Sequence, residues 1–119
     1  MESSGSSPTC SPYHGSAMAE FNSYSAYSGY ESRLYTYNLD LSSLTNPVLA
    51  YMMYHDNGYS SYTGEGVQVQ VSTDGGTTWT DLESLNQRVS TVNEWRQDTV
   101  SLSAYVGKTI MIGFLGHSE

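Results

Sequence analysis

Residues 67–82, VQVQVSTDGGTTWTDL, contain a strand, a turn and the start of a return strand in one uninterrupted run. Val67, Val69 and Val71 alternate with Gln68, Gln70 and Ser72, the period of a strand with one apolar and one polar face. Asp74-Gly75-Gly76 follows, a set of residues that tolerate positive φ in a tight connection. Thr77, Thr78, Trp79 and Thr80 are β-branched or aromatic and begin the return strand. The stretch therefore specifies an antiparallel hairpin, and the fold class is built outward from it.

The chain has 119 residues, enough for one domain with one core. Twelve acidic residues face four basic ones, for a net charge of −8. That balance argues against nucleic acid, which needs Lys and Arg to replace counterions, and against anionic membrane surfaces. No apolar run is long enough for membrane insertion. Residues 2–20 hold no apolar segment of a signal peptide. Cys10 is the only cysteine, so the core rather than an internal disulfide must stabilise the fold. Eleven tyrosines against two Phe and two Trp give many side chains with an apolar body and a polar tip. These fit strand surfaces and wet contacts with sugars or proteins alike.

In chain order, residues 1–15 form a flexible Ser/Gly/Pro-rich lead-in and residues 16–119 a single β-sandwich domain. Ser16–Phe21 (SAMAEF) has the alternation of a short strand, Asn22–Glu31 that of a tyrosine-rich loop, and Ser32–Tyr37 a strand again. Asn38–Leu44 is expected as an edge segment with Leu39 and Leu41 inward. Val48–His55 (VLAYMMYH) is the longest apolar run and has the composition of a strand covered on both faces. Asp56–Gly66 and Ser84–Asn93 are polar connections on either side of the hairpin. Glu94–Leu102 is a strand with Val100 and Leu102 inward, Ser103–Gly107 a single turn, and Lys108–Leu115 a strand alternating Ile110, Ile112 and Phe114 inward. Seven or eight short strands with no helix-length segment imply an all-β, antiparallel two-sheet sandwich.

GSAMAEFNSYS, SRLYTYNLDLS, VLAYMMYHDNGYS, VQVQVSTDGGTTW and W…VSLSAYVGKTIMIGFLG occur in this order between about Gly15 and Gly116. Together they resemble the MAM-like jelly-roll module of secreted bacterial proteins, similar to the adhesin domains attached to gingipain-type proteases. The resemblance implies a jelly-roll sandwich, a non-catalytic role in adhesion or ligand binding, an extracellular or cell-surface location and a bound calcium ion. Set against that pattern, the chain is expected to lack the first and last strands of the module, the last being the one with paired acids that contribute to calcium. The expectation is that a neighbouring chain or segment pairs with the exposed edges. Ser72, Asp74, Gly76, Thr78 and Trp79 also fit an Asp-box, S-x-D-x-G-x-T-W, which in exported β-proteins is a folding element away from the active site.

Residues that could carry chemistry are few. His14, His55 and His117 have no zinc-type spacing. His55 and Asp56 are adjacent on a strand and point to opposite faces. Asp81 and Glu83 share a face as solvated charge. The best local set of oxygen ligands for calcium is Asp56, Asn57 and Glu65, in a loop whose Asp-Asn-Gly is also ordinary turn chemistry. Tyr24, Tyr27, Tyr30, Tyr59 and Tyr62, from two loops, could stack on a glycan or dock a protein, or be no more than a crowded loop pair. The sequence thus points to a non-enzymatic binding or adhesion module. A self-assembling filament or surface-layer subunit and an accessory domain of a secreted hydrolase remain open beside it.

Overall fold

The computed structural model describes residues 1–119 and is an all-β sandwich of two antiparallel sheets. The strands are β1 (Glu31–Tyr35), β2 (Leu39–Asp40), β3 (Val48–His55), β4 (Gly66–Ser72), β5 (Thr80–Asp81), β6 (Asn86–Gln87), β7 (Glu94–Ser101) and β8 (Thr109–His117). The large sheet has the order β1-β8-β4-β5, with β2 added to β8 and β6 to β4. The small sheet is the pair β3-β7, in register from Val48↔Ser101 to His55↔Glu94.

β8 is the hub because its alternation is strict. Ile110 and Ile112 turn inward and are buried, while Met111, Gly113 and Leu115 face the other side. Its register with β4 sets Val69 against Phe114 and Val71 against Ile112. Those pairs place four apolar side chains on the inner face. Leu41, Val100 and Leu102 complete a core of seven buried residues, with Leu49, Tyr51, Leu82, Tyr105 and Phe114 packed around it.

Several expected elements differ. Ser16–Phe21 does not join a sheet. Only Met18 pairs, with Glu2, through mutual backbone bonds of 2.7 and 2.8 Å. Phe21 lies so close over Gly116 that a Cβ there would collide with its ring, and Asn22 then caps a single 3-10 turn at Ser23–Ser25. The alternation of SAMAEF is thus used by one buried side chain and one ring lid. The strand expected to end at Tyr37 ends at Tyr35. Leu41 is inward as expected but Leu39 is exposed. Asp40 Oδ1 accepts from Ser42 N–H at 2.9 Å, and this turn ends β2 before the alternation can carry both leucines in.

Val48–His55 is a strand but is not covered on both faces. Val48 and Ala50 are exposed while Leu49 and Tyr51 pack against the core, because in a two-sheet sandwich the small sheet has the large sheet on one face and solvent on the other. The return strand begins at Thr80 rather than Thr77, since Thr77 and Thr78 are held in the turn. Ser84–Asn93 is not all connection. It contains β6, and Val89 bridges Asp56 in parallel fashion.

Candidate functional site

The Asp-box residues form a closed network. Ser72 Oγ accepts from Gly76 N–H at 2.8 Å and donates to Asp74 Oδ1 at 2.8 Å. Asp74 Oδ1 also accepts from Thr78 N–H at 2.9 Å, and Oδ2 from the Thr78 hydroxyl at 2.5 Å. These bonds, from Thr78 first and Ser72 after it, hold the Asp74 pKa down to about 2. Gly76 has φ +90°, where a side chain would be strained. Trp79 Nε1–H donates to Gly76 C=O at 3.1 Å.

Trp79 does not enter the core. Val71 pairs with Thr80, so Trp79, one residue earlier, turns to the opposite face with Gln70 and Asp81. There it lies across Gly113, with the Arg33 guanidinium 4.7 Å above its ring and Tyr35 tilted at 6.2 Å.

The tyrosines divide. Tyr24 and Tyr59 sit 5.8 Å apart and Tyr59 and Tyr62 6.3 Å apart, all exposed, so the two loops do meet. Tyr24 beside it raises the Tyr59 pKa. Tyr59 has φ +49°, a left-handed conformation that costs a bulky residue about 1–3 kcal/mol. Tyr30 instead stacks on Phe21 at 6.2 Å and 11°, and Tyr27 stands alone, 87% exposed. Ser118, itself buried, ties their loop down by donating to Tyr27 C=O at 2.5 Å.

Asp56 and Glu65 come together, but on Arg88. Arg88 reaches Asp56 Oδ2 at 2.6 Å and Glu65 Oε2 at 2.9 Å, and all three side chains are largely buried. Burial opposes the guanidinium charge, and the two carboxylates more than offset it, so the Arg88 pKa is raised. Asn57 is exposed, and its N–H donates to Asn93 Oδ1 at 2.9 Å. A calcium ion would have to take its oxygens from Arg88, which already supplies positive charge between them.

One buried and one half-buried feature had no signal in the chain order. His55 is 4% exposed with neither ring nitrogen hydrogen-bonded, and the backbone of Gln87 and Arg88 faces it without completing a bond. Burial first, and the Arg96 charge next, lower its pKa. Tyr51 OH accepts from Asn86 at 2.8 Å and donates to Glu83 at 3.2 Å. Burial pushes its pKa up to about 12. Beside β3 an apolar cleft of about 320 Å³ opens between Met18, Phe21, Leu34, Met52, Tyr54 and Phe114.

Four bases among twelve acids make an ion pair at some base expected, but they do not single out Arg88. No protein-family model and no curated protein sequence matches the chain.

Proposed function

We propose that this protein is a non-catalytic, extracellular binding or adhesion module of a larger secreted or surface protein, of the jelly-roll kind that the MAM-like resemblance implies. The observation that carries it is the cluster of Tyr24, Tyr59 and Tyr62. Three aromatic faces from two loops stand in solvent, and the backbone of Tyr59 is held in a disfavoured conformation to keep one of them there. Exposed aromatic faces with hydroxyl tips suit stacking on sugar rings or docking on a protein. A catalytic domain beside this one would make the same surface an accessory of a secreted hydrolase. Calcium belongs to this reading through the resemblance alone, because Asp56 and Glu65 are already engaged by Arg88.

Glycan-array and immobilised-protein binding by the chain and by its Tyr24→Ala/Tyr59→Ala/Tyr62→Ala variant tests the reading. Binding that disappears in the variant while its circular dichroism is unchanged supports it. Equal binding by both would overturn it.

A second reading, self-assembly, has its own observation. β3 and β7 pair only with each other, so each keeps a free edge on which another chain can add a strand. Electron microscopy separates the two, because filaments either form from the purified chain or do not.

A further inference from the structure

We infer that the outer face of the large sheet holds a second binding site, centred on Arg33, for the carboxylate of an acidic sugar. It shares no residue with the tyrosine cluster, so either site can fail without the other.

The first observation is an unpaired cation. The chain has four basic residues and twelve acidic ones. Arg88 and Arg96 both sit on carboxylates, and Lys108 lies over the Tyr105 ring at 5.7 Å. Neither Lys108 nor Arg33 has a carboxylate within ion-pair distance, and Arg33 is the arginine so placed. With three acids for every base, an arginine on a strand would readily find an acidic neighbour. This one instead turns its Nε–H to the Gln70 amide oxygen, although Glu31 and Asp81 border the same groove.

The second observation is that the guanidinium is held. Its Nε–H donates to Gln70 Oε1 at 2.8 Å. Gln70 is only 8% exposed, and its own amide donates to Asp81 Oδ1 at 2.7 Å, so it cannot rotate away. Trp79 lies beneath the guanidinium, and the Arg33 stem crosses Gly113, where an added Cβ would stand 2.9 Å from Cδ. The remaining N–H donors of the fork have no protein partner. A planar fork fixed at its inner nitrogen and open at its outer ones presents the geometry that binds a carboxylate through two parallel hydrogen bonds.

The third observation is what surrounds it. Arg33 borders a groove of about 540 Å³ on the sheet face, with Leu115 in its lining and Gln68, Asp81, Glu31 and His117 around it. Leu115 offers an apolar patch of the kind a sugar ring covers with its C–H groups. Glu31 and Asp81 are acceptors for hydroxyl protons, and the Asp81 oxygen not used by Gln70 is without a protein partner. Those same two carboxylates, in a chain of net charge −8, disfavour ligands with several negative charges, such as inorganic phosphate, sulfate and polyanions, more strongly than one with a single carboxylate. The chemistry that fits is one carboxylate on an otherwise hydroxylated, neutral ring.

The test is a titration of the whole chain by ¹⁵N–¹H correlation spectroscopy with methyl glucuronoside, alongside methyl glucoside, sodium acetate and N-acetylglutamate. Saturable shifts of the Arg33 Nε–H, the Gln70 side-chain amide and the Gly113 amide with the glucuronoside are expected, with at most weak effects from the other three. Arg33→Gln should weaken binding about tenfold or more, and Arg33→Lys nearly as much, because an ammonium cannot reproduce the fork. The fold of each variant is checked by the unchanged resonances of Val69 and Ile112, which lie on the far face. Absence of saturable shifts, equal response to the glucoside, or an acetate response matching the glucuronoside overturns the proposal. Tighter binding of N-acetylglutamate overturns it in favour of an acidic peptide.

Discussion

Replacing Arg88 by Met leaves Asp56 and Glu65 buried without their common partner, and the size of the loss can be worked from the contacts. The side chains are 14%, 5% and 9% exposed for Arg88, Asp56 and Glu65, and the ion-pair distances are 2.6 and 2.9 Å. At an effective dielectric of about 20, each pair attracts by roughly 6 kcal/mol, but removing three charges from water opposes folding by several kcal/mol per ion. The net worth of the cluster is therefore small. Breaking it is not, because the desolvation of the carboxylates stays while the attraction goes. A loss of about 3–5 kcal/mol is expected, a large part of the stability of a domain of this size.

In urea unfolding, with a slope of about 2 kcal/mol per molar, the midpoint should fall by roughly 2 M with the slope unchanged. Two controls separate charge from packing. First, Arg88→Met combined with Asp56→Asn and Glu65→Gln should recover most of the loss. Second, the single variant should regain stability as pH is lowered from about 7 to 4, because its folded form then binds protons that its unfolded form does not. A single variant that loses less than about 1 kcal/mol, or whose loss does not shrink in acid, would show that the cluster is not desolvated in solution.

Three further outcomes follow. Lowering the His55 pKa by burial means that folding favours the neutral ring. Its contribution is complete above about pH 6.5 and is lost as pH falls below that, and His55→Leu should flatten this part of the stability-pH curve. The Asp74 pKa of about 2 gives the same sign at lower pH. The hairpin keeps its support above about pH 4 and loses it as pH falls toward 2, seen as reduced protection of the Thr78 amide relative to its intrinsic exchange rate, and Asp74→Asn should remove that pH dependence. Gly113→Ala would set a Cβ 2.7 Å from the Trp79 ring, and the displaced ring should reduce stability by about 1–3 kcal/mol and shift Trp79 fluorescence in a Trp95→Phe background. An unchanged spectrum would mean that Trp79 does not lie across that strand.

What could be read from the residues in order was what is local. The valines of β4 and the isoleucines of β8 face inward as their alternation requires, and the Asp74 turn closes within a few residues of itself. Trp79 was harder, since its face depends on the pairing of Val71 with Thr80 rather than on its own size. Val48–His55 is apolar enough for a covered strand, but coverage of both faces needs a layer on each side, and only the large sheet packs on this one. The Arg88 cluster joins residues 23 and 32 positions apart, and nothing in a polar connection marks which base will be buried. The tyrosines of two loops did converge in part, through Tyr24, Tyr59 and Tyr62, while Tyr30 took Phe21 as its neighbour instead.

The central place of β8 sets an order on biosynthesis. β1, β2 and β4 all take β8 as their partner, and all three are made before it. A chain leaving the ribosome therefore carries three strands whose hydrogen-bonding edges must wait, β1 longest, while the β4 hairpin and the β3-β7 pair can close without β8. Until Thr109–His117 emerges, the large sheet has no centre, and the nascent chain is open to wrong pairings.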